Sequence, residues 1–276
     1  MIDSNIKFVA LIGEPVVHSV SPAMHNAAFQ ALGLNYVYLA FQVPPAALGE
    51  AITVVRGLAF RGANITIPHK TTVLPLLDNI DPDAKRIGAV NTIVNDNGKL
   101  TGHNTDSPGF MAALRASGFE PKGEKAVVLG AGGAARAVVF ALRDAGAIVS
   151  IINRSPGAAQ TLANEAGATA FEINRAGWRA ALHGASLVVN ATSVGMSPDK
   201  DSTPLPVRLL RPGLVVFDTV YRPRQTRLLK AAEAAGCTTI SGLEMLVEQG
   251  ALAFELWTGE NAPRKVMHRA AVEALG

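Results

Sequence analysis

Short β-branched and apolar runs alternate along the chain with Ala-rich stretches of helical periodicity. This alternation is typical of βαβ units and predicts an α/β fold with mostly parallel sheets. In the first part of the chain it predicts strands at 7–13, 36–42 and 63–67 and helices at 23–32 and 48–59. A hairpin is predicted to follow, with strands 90–95 and 99–102 joined by the turn Asp96-Asn97-Gly98.

A second α/β unit is predicted after a helix at 107–117. Its strands are expected at 125–130, 147–153, 186–190, 214–218 and 238–240, with helices between them. The stretch 195–213 holds four prolines and is the one long irregular segment, as functional lids often are.

The final stretch, 243–274, is predicted to be helical and to pack back onto the first domain. The sequence therefore predicts two domains, one formed by 1–106 plus 250–276 and the other by 107–249.

Composition supports a folded chain. With 276 residues, 49% hydrophobic and 17% charged, the protein is long enough for about two domains and too apolar to be disordered. The apolar runs are too short for a membrane span, and the N-terminus does not resemble a signal peptide. A single cysteine, Cys237, cannot form an internal disulfide, which favours a reducing compartment. A cytoplasmic protein is expected.

The positive charge is concentrated in the middle of the chain. The net charge is only +3, but residues 107–242 carry 15 basic and 9 acidic side chains, a net charge of +6. This excess suits a small polyanionic ligand, although a merely solvated basic surface would give the same count.

A dinucleotide-binding motif opens the second unit. Gly130-Ala131-Gly132-Gly133-Ala134-Ala135 matches G-x-G-x-x-A and lies between a predicted strand and a predicted helix. In that context the glycines permit a tight turn and close approach to a pyrophosphate at the helix N-terminus. A plain Gly-rich turn is the alternative interpretation.

The end of the next strand indicates which dinucleotide is bound. An NAD site has Asp or Glu there, whereas this chain has Asn153-Arg154-Ser155. Because Arg154 would attract a ribose 2′-phosphate that a carboxylate would repel, NADP is the favoured cofactor. An exposed arginine at a strand end is the alternative.

Polar residues gather at strand ends in the first unit. Asn64 and Thr66 share one face of a predicted strand, and Lys70 follows at its carboxyl end, where ligands bind in α/β sheets. With Asn91 and Asn104-Thr105-Asp106 they would suit a ligand bearing several hydroxyl groups. The alternatives are that the asparagines only satisfy loop backbone and that Lys70 and Asp106 form a surface ion pair.

Ser19 and Ser21 precede a predicted helix and could bind a carboxylate through their hydroxyls and the helix N–H groups. Ser21 could equally serve only as the N-cap. The six histidines are scattered without metal-ligand spacing, and there is no nucleophile motif of the G-x-S-x-G type. Neither a metal site nor a covalent nucleophile is predicted.

Taken in order, these motifs resemble the shikimate dehydrogenase family nearly end to end. The residues that carry the resemblance are His18-Ser19-Val20-Ser21-Pro22, Asn64–Lys70, Asn91-Thr92, Asn104-Thr105-Asp106, Gly130–Arg136, Asn153-Arg154-Ser155, Asn190–Met196, Asp218-Thr219-Val220-Tyr221 and Gly242–Gln249.

The resemblance implies a substrate-binding α/β domain, a Rossmann NADP-binding domain and C-terminal helices that return to the first domain. It implies reversible NADPH-dependent reduction of 3-dehydroshikimate to shikimate in aromatic amino acid biosynthesis, with Lys70 as the catalytic proton donor and Asp106 as its partner. No nucleic-acid or membrane partner is expected, and a homodimer is left open.

The resemblance also assigns binding roles. The implied substrate-binding residues are Ser19, Ser21, Asn64, Thr66, Asn91, Tyr221 and Gln249. The implied cofactor-binding residues are Gly130, Ala131, Gly132, Gly133, Ala134, Asn153, Arg154, Ser155, Thr192, Ser193, Val220 and Gly242.

The chain departs from the family pattern in three places. Ser107-Pro108 stands where the family usually has Gly, and His69 where many members have Phe. Ala158 replaces a second arginine that NADP-using members often have. These departures leave open a quinate- or aminoshikimate-using paralogue. A non-enzymatic NADP-binding regulator is disfavoured because both Lys70 and Asp106 are present.

Overall fold

The computed structural model describes residues 4–276, so the first three residues of the predicted N-terminal domain lie outside it. The chain divides into two compact units. The first runs to Asp106 and takes in Val247–Gly276, and the second is Ser107–Leu246. The chain thus returns to the first unit at Val247, whereas the sequence predicts a return at 250. Among residues 4–276, none of the helices combines the length and hydrophobicity of a transmembrane span.

The first unit is built on a six-stranded sheet. Its elements up to the boundary are β1 (Lys7–Gly13), α1 (Ser21–Ala31), β2 (Tyr36–Gln42), α2 (Leu48–Gly57), β3 (Gly62–Ile65), β4 (Asn79–Ile80), α3 (Pro82–Ile87), β5 (Thr92–Asp96) and β6 (Lys99–His103). The strand order is β2-β1-β3-β5-β6-β4, and β5 runs antiparallel to both of its neighbours. Strands β1 and β2 have the predicted bounds, whereas β4 and α3 were not predicted from the sequence.

The second unit contains a fully parallel sheet. Its elements, with those at its borders, are α4 (Asp106–Ala116), β7 (Lys125–Leu129), α5 (Gly133–Asp144), β8 (Ile148–Ile152), α6 (Pro156–Ala166), β9 (Thr169–Phe171), α7 (Arg175–Leu182), β10 (Leu187–Asn190), β11 (Val215–Asp218), α8 (Arg227–Ala234), β12 (Thr238–Ser241) and α9 (Gly242–Thr258). The strand order β12-β11-β10-β7-β8-β9 is that of a Rossmann sheet. The order reverses between β7 and β10, and ligands of such sheets bind beyond the carboxyl ends of the strands at that point.

Two local predictions need correction. The stretch 243–274 is not one helix, because α9 ends at Thr258 and α10 (Arg264–Leu275) begins after Gly259, which has a φ of +76°, and Pro263. The N-cap of α1 is Val20, not Ser21, and it makes no side-chain capping bond. Ser21 is already helical, and its N–H donates to the Oγ of Ser19 at 3.2 Å.

A buried polar network fixes the carboxyl ends of β10 and β11. The Asn190 amide donates to Oδ1 of Asp218 at 2.8 Å, and the Thr226 hydroxyl donates to Oδ2 at 2.6 Å. All three residues are fully buried. Burial raises the pKa of Asp218 to about 6, although its hydrogen bonds act in the opposite direction.

Because the folded state holds the proton of Asp218 more tightly than the unfolded chain does, this group lowers stability as the pH rises from about 4 to about 6. The substitution Asp218→Asn should remove that dependence. We expect the difference in free energy of unfolding between the variant and the wild type to change by about 2 kcal/mol between pH 4 and pH 7.

Urea unfolding at a series of pH values measures this difference. Asp201→Asn, which removes an exposed carboxylate of the same unit, is the matched control, and the pH-dependent change for Asp218→Asn should exceed the change for this variant. Parallel stability curves for wild type and Asp218→Asn would contradict the prediction.

Candidate active site

Lys70 and Asp106 form a largely buried ion pair in the first unit. Their Nζ and Oδ2 atoms are 2.5 Å apart, and the two side chains are only 13% and 6% exposed. The Lys70 carbonyl accepts the Val90 N–H at 2.8 Å, which ties the segment after β3 to the segment before β5. Asp106 is the first residue of α4, where a helix N-terminus stabilises a carboxylate. The pair is therefore not the solvated surface pair that the sequence left open.

The Asn91 side chain connects this pair to the C-terminal segment. Its Nδ2 donates to Oδ1 of Asp106 at 3.0 Å, to Oγ1 of Thr105 at 2.9 Å and to Oε1 of Gln249 at 3.2 Å. Its Oδ1 accepts the Thr105 N–H at 2.7 Å. Asn91 thus does more than satisfy loop backbone, since it orients the carboxylate of Asp106 and the amide of Gln249.

Asn64 is hydrogen-bonded to the segment that carries Asn91. Its Nδ2 donates to the Asn91 carbonyl at 3.1 Å and to Oγ1 of Thr92 at 3.0 Å. Its Oδ1 accepts the hydroxyl of Tyr38 at 2.8 Å, a residue that the sequence analysis did not single out. Both amide hydrogens of Asn64 are used within the protein, so towards a ligand this side chain can act only as an acceptor.

The other predicted substrate residues of this unit lie at the ends of α1 and β3. Ser21 is buried at the start of α1, and no hydrogen bond among the described residues links Ser19 or Ser21 to the Lys70–Asn91 cluster. Thr66 donates its N–H to the Ile12 carbonyl at 2.9 Å. A Cβ on Gly13 would lie 2.3 Å from the Thr66 methyl, so glycine is required for this close approach.

Two buried histidines of this unit differ in their partners. The Nε2 of His69 is 2.7 Å from the Val43 carbonyl, which directs this ring to the segment after β2. His25, which the sequence did not single out, is fully buried with both ring nitrogens unpaired. Burial lowers the pKa of His25 to about 3, so the ring is neutral near pH 7.

In the second unit, the Gly-rich turn leads from β7 into α5. Gly130 has a φ of +118°, and a Cβ there would lie 2.9 Å from the Ala191 carbonyl oxygen beyond β10. Gly132 is the N-cap of α5 and makes no side-chain bond, and a Cβ on it would meet only open space. The first N–H groups of α5 and the room in front of Gly132 fit a dinucleotide pyrophosphate.

The segment after β8 supplies a free positive charge. Arg154 is exposed, and within residues 4–276 it pairs with no carboxylate. The Asn153 amide donates to the Ser155 carbonyl at 3.1 Å, and Ser155 is the N-cap of α6. Ala158, in the first turn of α6, offers no second cation. This arrangement fits one arginine contact to a 2′-phosphate.

The remaining predicted cofactor residues lie in the loops after β10, β11 and β12. Thr192 bonds Oδ1 of Asn190 through its N–H at 3.0 Å and through its hydroxyl at 2.7 Å, and Ser193 follows directly. The Val220 N–H donates to Asp218 at 3.0 Å. A Cβ on Gly242 would lie 2.4 Å from the Thr219 carbonyl oxygen, so α9 must start with glycine.

The structure therefore brings Lys70, Asp106, Asn64, Asn91 and Gln249 into one network. Tyr221 lies in the second unit, in the loop after β11. The described residues include no cluster of three or more histidine, cysteine, aspartate or glutamate side chains that could hold a metal ion.

Comparison with known proteins finds matches along most of the chain. The model of the shikimate dehydrogenase substrate-binding domain matches residues 11–93. The model of shikimate/quinate 5-dehydrogenase matches 112–197, and that of the shikimate 5′-dehydrogenase C-terminal domain matches 242–272.

Similar proteins of nearly the same length are named shikimate dehydrogenase (NADP(+)). The NADP(+) shikimate dehydrogenase of Moorella thermoacetica is 52% identical over 97% of this chain and 93% of its own length. The corresponding protein of Methanopyrus kandleri is 52% identical over 99% and 98%.

A solved structure shares the fold over the whole length. Shikimate 5-dehydrogenase from Thermus thermophilus, in complex with NADP(H) and shikimate, superposes with a TM-score of 0.90. It is 47% identical, and the match covers 98% of this chain and 100% of that one. Since the family models match most of the chain, and the sequence relatives and the solved structure match nearly all of it, this chain belongs to the shikimate/quinate dehydrogenase family.

Proposed function

We propose that this protein is an NADP-dependent shikimate dehydrogenase that reversibly reduces 3-dehydroshikimate to shikimate. The observation that carries the proposal is the buried Lys70–Asp106 pair, whose carboxylate is held by Asn91 in a unit rich in hydroxyl-binding side chains. A Rossmann sheet with an open helix N-terminus in the second unit supports it.

The residues at the carboxyl edge of the second sheet would hold the cofactor. The turn Gly130–Gly133 and the N-terminus of α5 take the pyrophosphate, and Arg154 takes the 2′-phosphate. The loops carrying Thr192, Ser193 and Val220 and the start of α9 at Gly242 border the same edge. When bound, NADPH supplies the hydride that reduces the substrate ketone.

Lys70 completes the reduction by proton transfer. As hydride reaches the carbonyl carbon, the ketone oxygen becomes an alkoxide, and the Lys70 ammonium donates the proton that converts it into the alcohol. In the oxidation direction the neutral amine takes that proton back. Asp106 holds the Lys70 Nζ in place, and Asn91 holds Asp106.

The substrate carboxylate suits Ser19 and Ser21 at the start of α1, where hydroxyls and helix N–H groups meet. Asn64, Thr66, Asn91 and Gln249 suit the ring hydroxyls. Since both amide hydrogens of Asn64 are already engaged and its side-chain oxygen has one protein donor, a substrate hydroxyl acts as a donor to this residue. Tyr221, in the second unit, keeps the substrate-binding role that the family resemblance implies.

The remaining assignments rest on the sequence. The two compact units are assigned as a substrate-binding domain and a dinucleotide-binding domain. The cytoplasmic location inferred from the single cysteine stays a prediction.

The proposal is tested by following NADPH absorbance while shikimate and quinate are each combined with NADP and with NAD. We expect turnover to be fastest with shikimate and NADP. A preference for quinate would instead support the quinate-using paralogue that the departures at Ser107-Pro108 and His69 left open. No turnover with any pair would contradict the proposal.

Replacing Lys70 with Ala should lower kcat on the order of a hundredfold or more, with a modest change in substrate KM, because the proton donor is lost. Lys70→Arg keeps the ion pair but cannot release its proton, so its kcat should also fall. Lys85→Ala, at an exposed position of α3, is the control and should retain wild-type kcat. Thermal unfolding of each variant checks folding, and near-normal turnover by folded Lys70→Ala would refute the catalytic role.

Replacing Arg154 with Ala should raise the KM for NADP about tenfold or more while leaving the KM for NAD unchanged, because only NADP carries the 2′-phosphate. The control is Arg175→Ala, an exposed arginine of the same unit. An equal rise in both KM values would show that Arg154 does not recognise the 2′-phosphate.

A further inference from the structure

A continuous run of hydrogen bonds leads from Tyr38 to the catalytic pair. The Tyr38 hydroxyl donates to Asn64, the Asn64 amide donates to the Thr92 hydroxyl at 3.0 Å, and that hydroxyl donates to Oδ1 of Asn91 at 3.2 Å. The Asn91 amide then donates to Asp106 at 3.0 Å. We call Tyr38, Asn64, Thr92, Asn91 and Asp106 the donor chain.

Every donor in this chain points in the same direction, from Tyr38 towards the carboxylate. Hydrogen bonds aligned in this way polarise one another, and the effect is strongest where water is excluded. All five residues are buried, and Tyr38 and Thr92 have no exposed surface. Each side-chain amide in the donor chain is therefore oriented by the hydroxyl that donates to its oxygen. The Tyr38 hydroxyl orients the first of these amides, that of Asn64.

The ring of Tyr38 is itself held in place. His25 stacks on it with the ring centroids 4.5 Å apart and 9° between the planes, and the indole of Trp257 lies at 6.1 Å. The Asn26 side chain accepts the backbone N–H of Tyr38 at 2.8 Å and donates to its carbonyl at 3.0 Å. The hydroxyl thus has one well-defined position, opposite Asn64.

We infer that Tyr38 is a positioning residue for the Lys70–Asp106 pair, acting through Asn64 and Asn91. This inference rests on the proposed function. Without the hydroxyl, the Asn64 oxygen loses its donor in a buried site, and the orientation of the asparagine amides is less strictly fixed. Asp106 then holds the Lys70 ammonium less firmly at the position from which the proton is transferred.

Tyr38→Phe tests the inference, because it removes one oxygen and keeps the stacked ring. We expect kcat to fall about three- to tenfold, with the KM for shikimate and for NADP changed less than about twofold. The deuterium isotope effect on kcat should rise, because the chemical step becomes slower. A merely structural role would lower the melting temperature and leave both readouts unchanged.

The chain offers a matched control on the same strand. Tyr36 also lies in β2, stacks on Phe29, and donates its hydroxyl to a carbonyl, that of Trp257 at 3.3 Å. It does not belong to the donor chain. Tyr36→Phe should therefore keep wild-type kcat and isotope effect. If the two Phe variants behave alike, the inference is wrong.

A double substitution tests the route. In an Asn64→Ala background, adding Tyr38→Phe should produce no further fall in kcat, because the link to Asn91 is already broken. Additive losses would show that Tyr38 acts by another route and would overturn the inference.

A readout without turnover separates this inference from the proposed function. Acetylation of Lys70 by acetic anhydride, followed by mass spectrometry and compared with the exposed Lys99 in the same sample, should be severalfold faster in Tyr38→Phe than in wild type or Tyr36→Phe. If the wild type proves inactive, the proposed function fails and the labelling still tests the role of Tyr38. Unchanged labelling together with unchanged kcat would refute the positioning role in an active enzyme.

Discussion

Placing a lysine and an aspartate next to each other inside a protein takes both charges out of water, and the pair is stable only if the remaining polar atoms find partners. In this chain the second carboxylate oxygen of Asp106 is bonded by Asn91, and the same amide reaches Gln249 on α9. The side chains of Thr105, Asp106 and Gln249 all accept hydrogen bonds from that amide. The constraint also explains why the C-terminal segment must return to the first unit, since Gln249 completes the cluster.

The sheet edge of the second unit is organised differently. It carries no comparable ion pair at its sheet edge among the described residues and instead controls how closely backbone segments approach one another. Gly130 lies against the carbonyl of Ala191, and Gly242 lies against that of Thr219. The buried bonds among Asn190, Asp218 and Thr226 hold the intervening loops. The first unit thus positions charged side chains, whereas the second positions backbone N–H groups and leaves space for a large anion.

Much of this was predictable because the signals are local. The apolar periodicity predicted β1 and β2, and the Gly-rich turn between β7 and α5 is recognisable from a few consecutive residues. Lys70 and Asp106 are 36 positions apart, and only the family resemblance predicted that they form a catalytic pair rather than a surface ion pair. Tyr38 and His25 gave no signal, because a tyrosine in a strand and a histidine in a helix look like ordinary core positions. The two-residue strand β4 and the six-residue helix α3 are too short to establish a period.

The buried His25 changes the stability of the first unit with pH in the opposite direction from the change that Asp218 causes in the second. Its folded form excludes the proton that the unfolded chain accepts, so stability is lost as the pH falls from about 6.5 towards 3. Asp218 in the second unit gains stability over much of that range. These two buried side chains therefore contribute to stability with opposite signs as the pH falls: His25 lowers the stability of the first unit, and Asp218 raises that of the second.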